Sequence, residues 1–130
     1  MDERILIVEC DPEIQRDLIR VLNREGYRFY SFSGKIEAVG AFKSNPSDLI
    51  ILYHKTGSCD CINLIGQFKL LNDEVEVIVI SSSATIGDVI RAMRGNGAFD
   101  FILLPLQNSR YLVNPLIHAL KTVSYTHLRA

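Results

Sequence analysis

Several things are scarce in this chain. It has three cysteines in 130 residues. An odd, small number argues against a disulfide framework and fits a reducing compartment. It has almost no net charge, 14 basic against 15 acidic residues, and no basic block, so direct nucleic-acid binding is not expected. No apolar stretch approaches the ~20 residues of a membrane span. Met1-Asp2-Glu3-Arg4 runs straight into a strand-like segment without a signal-peptide layout. The expected location is cytoplasmic. What is present is a globular composition, 48% hydrophobic and 22% charged, at a length that suits one domain with a single core.

Four short apolar runs punctuate the chain: Ile5 to Val8, Leu49 to Leu52, Val75 to Ile80 and Phe99 to Leu104. Apart from Glu76 and Asp100 near their starts, they show no alternation of apolar and polar residues. Such runs read as parallel strands buried on both faces. A fifth, Arg28 to Phe32, mixes Arg and Ser with aromatics and reads as an edge strand.

Helical patterns lie between the runs. Asp11-Pro12 is a helix start, a capping side chain followed by proline at the first helical position. Ile14, Leu18, Val21 and Leu22 then share a face, and Gly26 marks the stop. Ala38, Val39 and Phe42 suggest a second helix, ending before Asn45-Pro46. Leu64, Ile65, Phe68 and Leu71 suggest a third. Ile86, Val89, Ile90 and Met93 suggest a fourth, closed by Gly95-Asn96-Gly97. Val113, Leu116, Ile117 and Leu120 suggest a fifth. Pro115 falls within it, so that helix either starts there with Asn114 as cap or starts near Ser109 and bends. The domain is expected over 1–123. The tail, 124–130, is a truncated helix, a frayed end or residues foreign to the domain.

Alternating strands and helices predict an α/β fold, a doubly wound five-stranded parallel sheet of order 2-1-3-4-5 in the flavodoxin-like manner. Such sheets bind ligands at the carboxyl ends of the strands, at the switch point between the first and third. The residues expected there are Glu9, Cys10 and Asp11 after the first strand, and Tyr53 and His54 after the third. Ser81 to Ser83 follow the fourth, and Leu104-Pro105 the fifth.

In that order and spacing the chain resembles the receiver domain of bacterial two-component response regulators, over about residues 4–123. Ile5 to Glu13 looks like the family's opening strand and acidic turn. Asp48 to Tyr53 looks like the third strand, which normally ends in the phosphate-accepting Asp. Val77 to Ser81 looks like the fourth strand with its hydroxyl residue. Gly97 to Pro105 looks like the fifth strand and the Lys-Pro turn. The resemblance implies a site where two acidic residues and the acceptor Asp hold Mg²⁺, while the hydroxyl residue and the Lys contact the phosphoryl group.

Here that set is broken. Glu9 fills the first acidic position and Cys10 the second; Tyr53 stands for the acceptor and Leu104 for the lysine. Glu9, Ser81 and Pro105 keep their types, with Phe101 at the position of a switching aromatic. Acyl-phosphate formation needs a carboxylate nucleophile, and a phenol with a reference pKa of about 10 is no substitute. Mg²⁺ prefers hard oxygen ligands to a cysteine sulfur. A leucine cannot neutralise a phosphoryl oxygen. Once the acceptor is gone, a lysine in the same pocket would lack its partner, and Leu104 and Tyr53 can instead pack together. The expectation is a pseudo-receiver. It would be no enzyme, with weak or absent Mg²⁺ binding. It would act through a protein partner or a homodimer across the fourth helix, fifth strand and fifth helix.

Plainer readings stand beside these. Tyr53 is more readily packing than a kinase target, and Asp11 is explained by helix capping. Ser81 is either a switch or a turn hydroxyl. Phe101 reads more readily as filler than as a live switch. Cys10, His54, Cys59 and Cys61 should lie near one pole and suggest a metal- or redox-sensing module, yet Cys59-Asp60-Cys61 is not a usual zinc spacing. A third possibility is the receiver fragment of a longer transcription regulator or sensor kinase. A flavodoxin-like nucleotide site is rejected, because Glu9-Cys10-Asp11-Pro12 would repel phosphate. No hydrolase set can be assembled from three scattered histidines.

Overall fold

The computed structural model describes residues 4–9, 11–55, 61–104 and 113–129, the side chains of the last segment as far as Val123. Cys10, Cys59 and Pro105 lie outside the described residues. The elements are β1 (Arg4–Val8), α1 (Pro12–Arg24), β2 (Arg28–Phe32), α2 (Lys35–Ser44), β3 (Leu49–Tyr53), α3 (Ile62–Leu71), β4 (Glu76–Ser81), α4 (Ile86–Ile90), a π-helical turn (Arg91–Gly95), β5 (Asp100–Leu103) and α5 (Val113–Arg129).

The sheet is parallel throughout, in the order β2-β1-β3-β4-β5. That is the predicted α/β fold. Every residue of β3 is buried, which explains why the run carries no alternation. β2 is half-exposed and lies at the edge, with Arg28 in solvent.

Side chains on the two sheet faces build two cores. Ile5, Ile7, Ile51, Tyr53, Ile78 and Ile80 pack under α1 and α5, with Ile14, Leu18, Leu22, Leu116 and Leu120. Leu6, Ile50, Leu52, Val77 and Val79 pack under α2 and α3, with Ala38, Phe42, Ile65 and Phe68. Each fully buried Leu, Ile or Phe contributes about 1.5–3 kcal/mol of burial free energy. Phe42 and Phe68 meet edge to face at 5.1 Å and tie α2 to α3.

The first helix forms as its sequence predicts. Asp11 Oδ1 accepts from the Glu13 N–H at 3.0 Å, and Pro12 takes the first helical position. Gly26, at φ 82°, closes it, with the Tyr27 N–H donating to Leu22 O at 2.9 Å.

Three of the expected helices form with details that spacing did not specify. Leu71 does not join the buried face of α3, which Ile62 completes instead; Leu71 is partly in solvent. The apolar residues that mark the fourth helix mostly face outward: Ile86 is 80% exposed, Ile90 49% and Met93 36%, and Ala92 is the buried residue of this segment. The segment also leaves α geometry at Arg91, where a wider turn takes over. Asn96 Nδ2 donates to Arg91 O at 2.9 Å and the Ala98 N–H to Ala92 O at 2.9 Å, which satisfies carbonyls freed by the wider turn. Gly97, at φ 75°, then turns the chain into β5. Finally, Val113 and Asn114 are already helical, so Asn114 is no cap, and Pro115 sits in the first described turn of α5. The helix continues past residue 123 to Arg129.

Candidate functional site

The strand ends converge where the fold predicts a ligand site, and the side chains there have mostly turned inward. Tyr53 ends β3 opposite Ile80 of β4 and is only 2% exposed. Its ring belongs to the apolar cluster under α1 and α5. Its hydroxyl lies 3.4 Å from Ser82 Oγ, a long hydrogen bond that gives the polar tip a partner. Leu104 is buried in the same cluster, and its N–H donates to Ser81 O at 2.8 Å. A tyrosine and a leucine thus share one apolar core at the carboxyl ends of the strands.

Glu9 is the buried carboxylate of the pole, and its N–H donates to Phe32 O at 3.1 Å. Burial pushes its side chain above the ordinary carboxylate range. A backbone hydrogen bond from Asp11 works against that, and the Asp11 charge works with it. Asp11 is committed to the start of α1, its Oδ1 accepting from Glu13.

Ser81 is fully buried, and its Oγ accepts from the Ser83 N–H at 3.2 Å. The hydroxyl holds the turn between β4 and α4, as serine does in many such turns. Phe101 is half-buried against the α2–α3 core. Cys10 and Pro105 lie outside the described residues.

Of the proposed cysteine–histidine pole, His54 and Cys61 are brought together and both are buried. The Cys61 N–H donates to His54 Nδ1 at 3.4 Å, a contact made by the backbone of Cys61. Cys59 lies outside the described residues. Among the described residues no group of three or more His, Cys, Asp and Glu side chains is arranged to hold a metal ion. No helix among them is long and apolar enough to cross a membrane.

Asp88, which the sequence reading passed over, contacts His54 at 3.3 Å. A signal for it existed: Thr85-Ile86-Gly87-Asp88 is a capping-box pattern, and both of its hydrogen bonds form. That pattern places Asp88 at the start of α4, although nothing local in the sequence links it to His54.

Comparison with known proteins now adds to this geometry. Residues 5–114 match the family model of the response regulator receiver domain. The chain is 27% identical over 105 residues to sporulation initiation phosphotransferase F of Bacillus subtilis, covering 81% of this chain and 84% of that protein. Other curated relatives are longer, and the chain spans between 25% and 48% of those. A CheY-like receiver domain protein from Methanospirillum hungatei superposes with a TM-score of 0.78 at 21% identity, covering 97% of this chain and 99% of that one, which speaks to fold alone. The beryllofluoride-activated NtrC4 receiver domain dimer superposes with a TM-score of 0.74 at 26% identity, covering 92% and 98%.

Proposed function

This chain belongs to the response regulator receiver domain family, and from that membership we propose that it is a pseudo-receiver, a signalling module that works without being phosphorylated at its strand-end site. The observation that carries this is Tyr53: the acceptor position holds a buried phenol inside an apolar cluster that also contains Leu104. Neither of those two positions supplies a carboxylate to form an acyl phosphate or a cation to stabilise one.

Mg²⁺ does not fit the donors in view. Glu9 is buried and its proton is held more tightly than usual. Asp11 caps a helix, and the neighbouring Cys10 is a thiol by sequence. One buried carboxylate falls short of the hard oxygen set that Mg²⁺ takes. On this reading the strand-end site carries out no Mg²⁺-dependent phosphoryl chemistry.

Its output runs through protein contact. Ile86, Ile90 and Met93 of the fourth helical segment and Leu103 of β5, the last 57% exposed, give an apolar face that no described element covers. A receiver relative in this fold forms a dimer, and we assign the α4–β5–α5 face of this chain the same kind of task, a second copy or a partner protein. The matched relatives of greater length favour a place within a larger regulator, whose output domain would set the final effect.

The test uses ¹⁵N-labelled protein, titrated with beryllofluoride and Mg²⁺. Amides of β3, β4 and α4 should keep their positions. Saturable shifts at Tyr53, Ser81 and the α4 amides would mean that the site still accepts a phosphoryl mimic, and the proposal would fail.

A further inference from the structure

Immediately after Tyr53 the chain carries a histidine into the interior. His54 is 0% exposed, and its backbone N–H donates to Ile80 O at 2.8 Å, adding a bond beyond the β3–β4 pairing. Its ring reaches two further elements. On one side the Cys61 N–H, at the cap of α3, donates to Nδ1 at 3.4 Å. On the other side Nε2 lies 3.3 Å from Asp88 Oδ2. A nitrogen that accepts leaves the ring proton on the other one, so a single neutral tautomer makes both bonds, with Nε2–H donating to the carboxylate.

Asp88 is itself built into the start of α4. Its Oδ2 also accepts from the Thr85 N–H at 3.1 Å, and its own N–H donates to Thr85 Oγ1 at 3.1 Å. Its Oδ1 lies 3.4 Å from the Arg91 guanidinium, where the π-helical turn begins. One imidazole therefore joins the end of β3, the N-cap of α3 and the capping box of α4.

We propose that His54 is a staple that couples the N-terminus of α3 to the N-terminus of α4, so that the placement of α4 and its exposed apolar residues is set from the β3–α3 junction through a side chain. In a domain whose acceptor position is a buried tyrosine, this gives the helix a fixed, ligand-free means of positioning. The coupling stands whatever partner the α4 face meets.

Amide hydrogen exchange on the whole chain tests it, with Asp88→Ala, His54→Phe and Thr85→Ala compared with the parent. Asp88→Ala acts on α4, yet it should speed exchange of the Cys61 amide at the N-cap of α3 about three- to tenfold, the range for losing one ordinary hydrogen bond's net contribution. His54→Phe should speed the Val89 and Ile90 amides by a similar factor. Adding Asp88→Ala to it should change Cys61 no further. Thr85→Ala breaks the capping box without touching the imidazole, so it should loosen α4 and leave Cys61 at the parent rate. Unchanged Cys61 exchange in Asp88→Ala would overturn the staple. So would equal acceleration across the β3 and β4 amides, since that reports only a weaker fold. Should His54→Phe fail to fold, the Asp88→Ala and Thr85→Ala pair decides alone, because both replace side chains that reach solvent.

Discussion

Replacing Tyr53 by alanine would empty part of the apolar cluster beneath α1 and α5. The side chain is 2% exposed and among the largest fully buried ones in the protein. Truncating a buried aromatic costs about 3–5 kcal/mol, the lost transfer energy plus the cavity left behind. Domains of this size are stable by about 5–15 kcal/mol, so the loss is roughly a fifth of the total or more. With an m-value near about 1.5 kcal/mol/M, the urea midpoint should fall by roughly 2–3 M. Tyr53→Phe keeps the ring and removes only the long contact to Ser82, at 3.4 Å. It should cost less than about 1 kcal/mol. Equilibrium urea unfolding followed by circular dichroism gives both values. An alanine variant within about 1 kcal/mol of the parent would mean that the ring is not a core element. A phenylalanine variant as damaging as alanine would mean that the hydroxyl, not the ring, is what the fold uses. Either result would refute Tyr53 as pocket filling.

Two further outcomes follow from the same geometry. Glu9 has a raised pKa in the folded state, so folding takes up a proton, and stability falls as pH rises from the ordinary carboxylate value, ~4.3, through the higher folded value. Glu9→Gln should therefore raise the Tm at pH ~7 and give little gain at pH ~4, read by thermal scans; a gain that is equal at both would contradict the buried, proton-retaining carboxylate. Ile90→Glu, on the exposed face of α4, should leave urea stability within about 0.5 kcal/mol of the parent while weakening self-association or partner capture in sedimentation; association that persists unchanged would remove that face from the interface.

The sheet was legible in the sequence for a physical reason. Parallel strands buried on both faces must be apolar at every position, so Leu49 to Leu52 and Val77 to Ile80 announce themselves. Asp11-Pro12 gave the start of α1 because capping chemistry is local. The fourth helix was legible as a helix but not in its facing. Ile86, Ile90 and Met93 have helical spacing whether that stripe meets a core or a partner. The π-helical turn depends on how the chain re-enters β5 and on Asn96 reaching back to Arg91, which spacing does not encode. Tyr53 and Leu104 could be read as a filled pocket because their polar counterparts were missing together. The His54–Asp88 contact was not legible, because it joins residues on separate elements and each has a sufficient local reading as a loop residue or a cap.

Intact-protein mass after incubation with acetyl phosphate and Mg²⁺ reads out whether the strand-end site takes a phosphoryl group. The parent chain should show no phosphoryl adduct. Tyr53→Asp alone should show none either, since its carboxylate would enter an apolar cluster without a lysine or a second acidic neighbour. The triple change Tyr53→Asp, Cys10→Asp and Leu104→Lys supplies the missing groups and should label at least in part, and only with Mg²⁺ present. An adduct on the parent chain, or a single variant that labels as well as the triple one, would mean that the pocket still supports phosphoryl transfer.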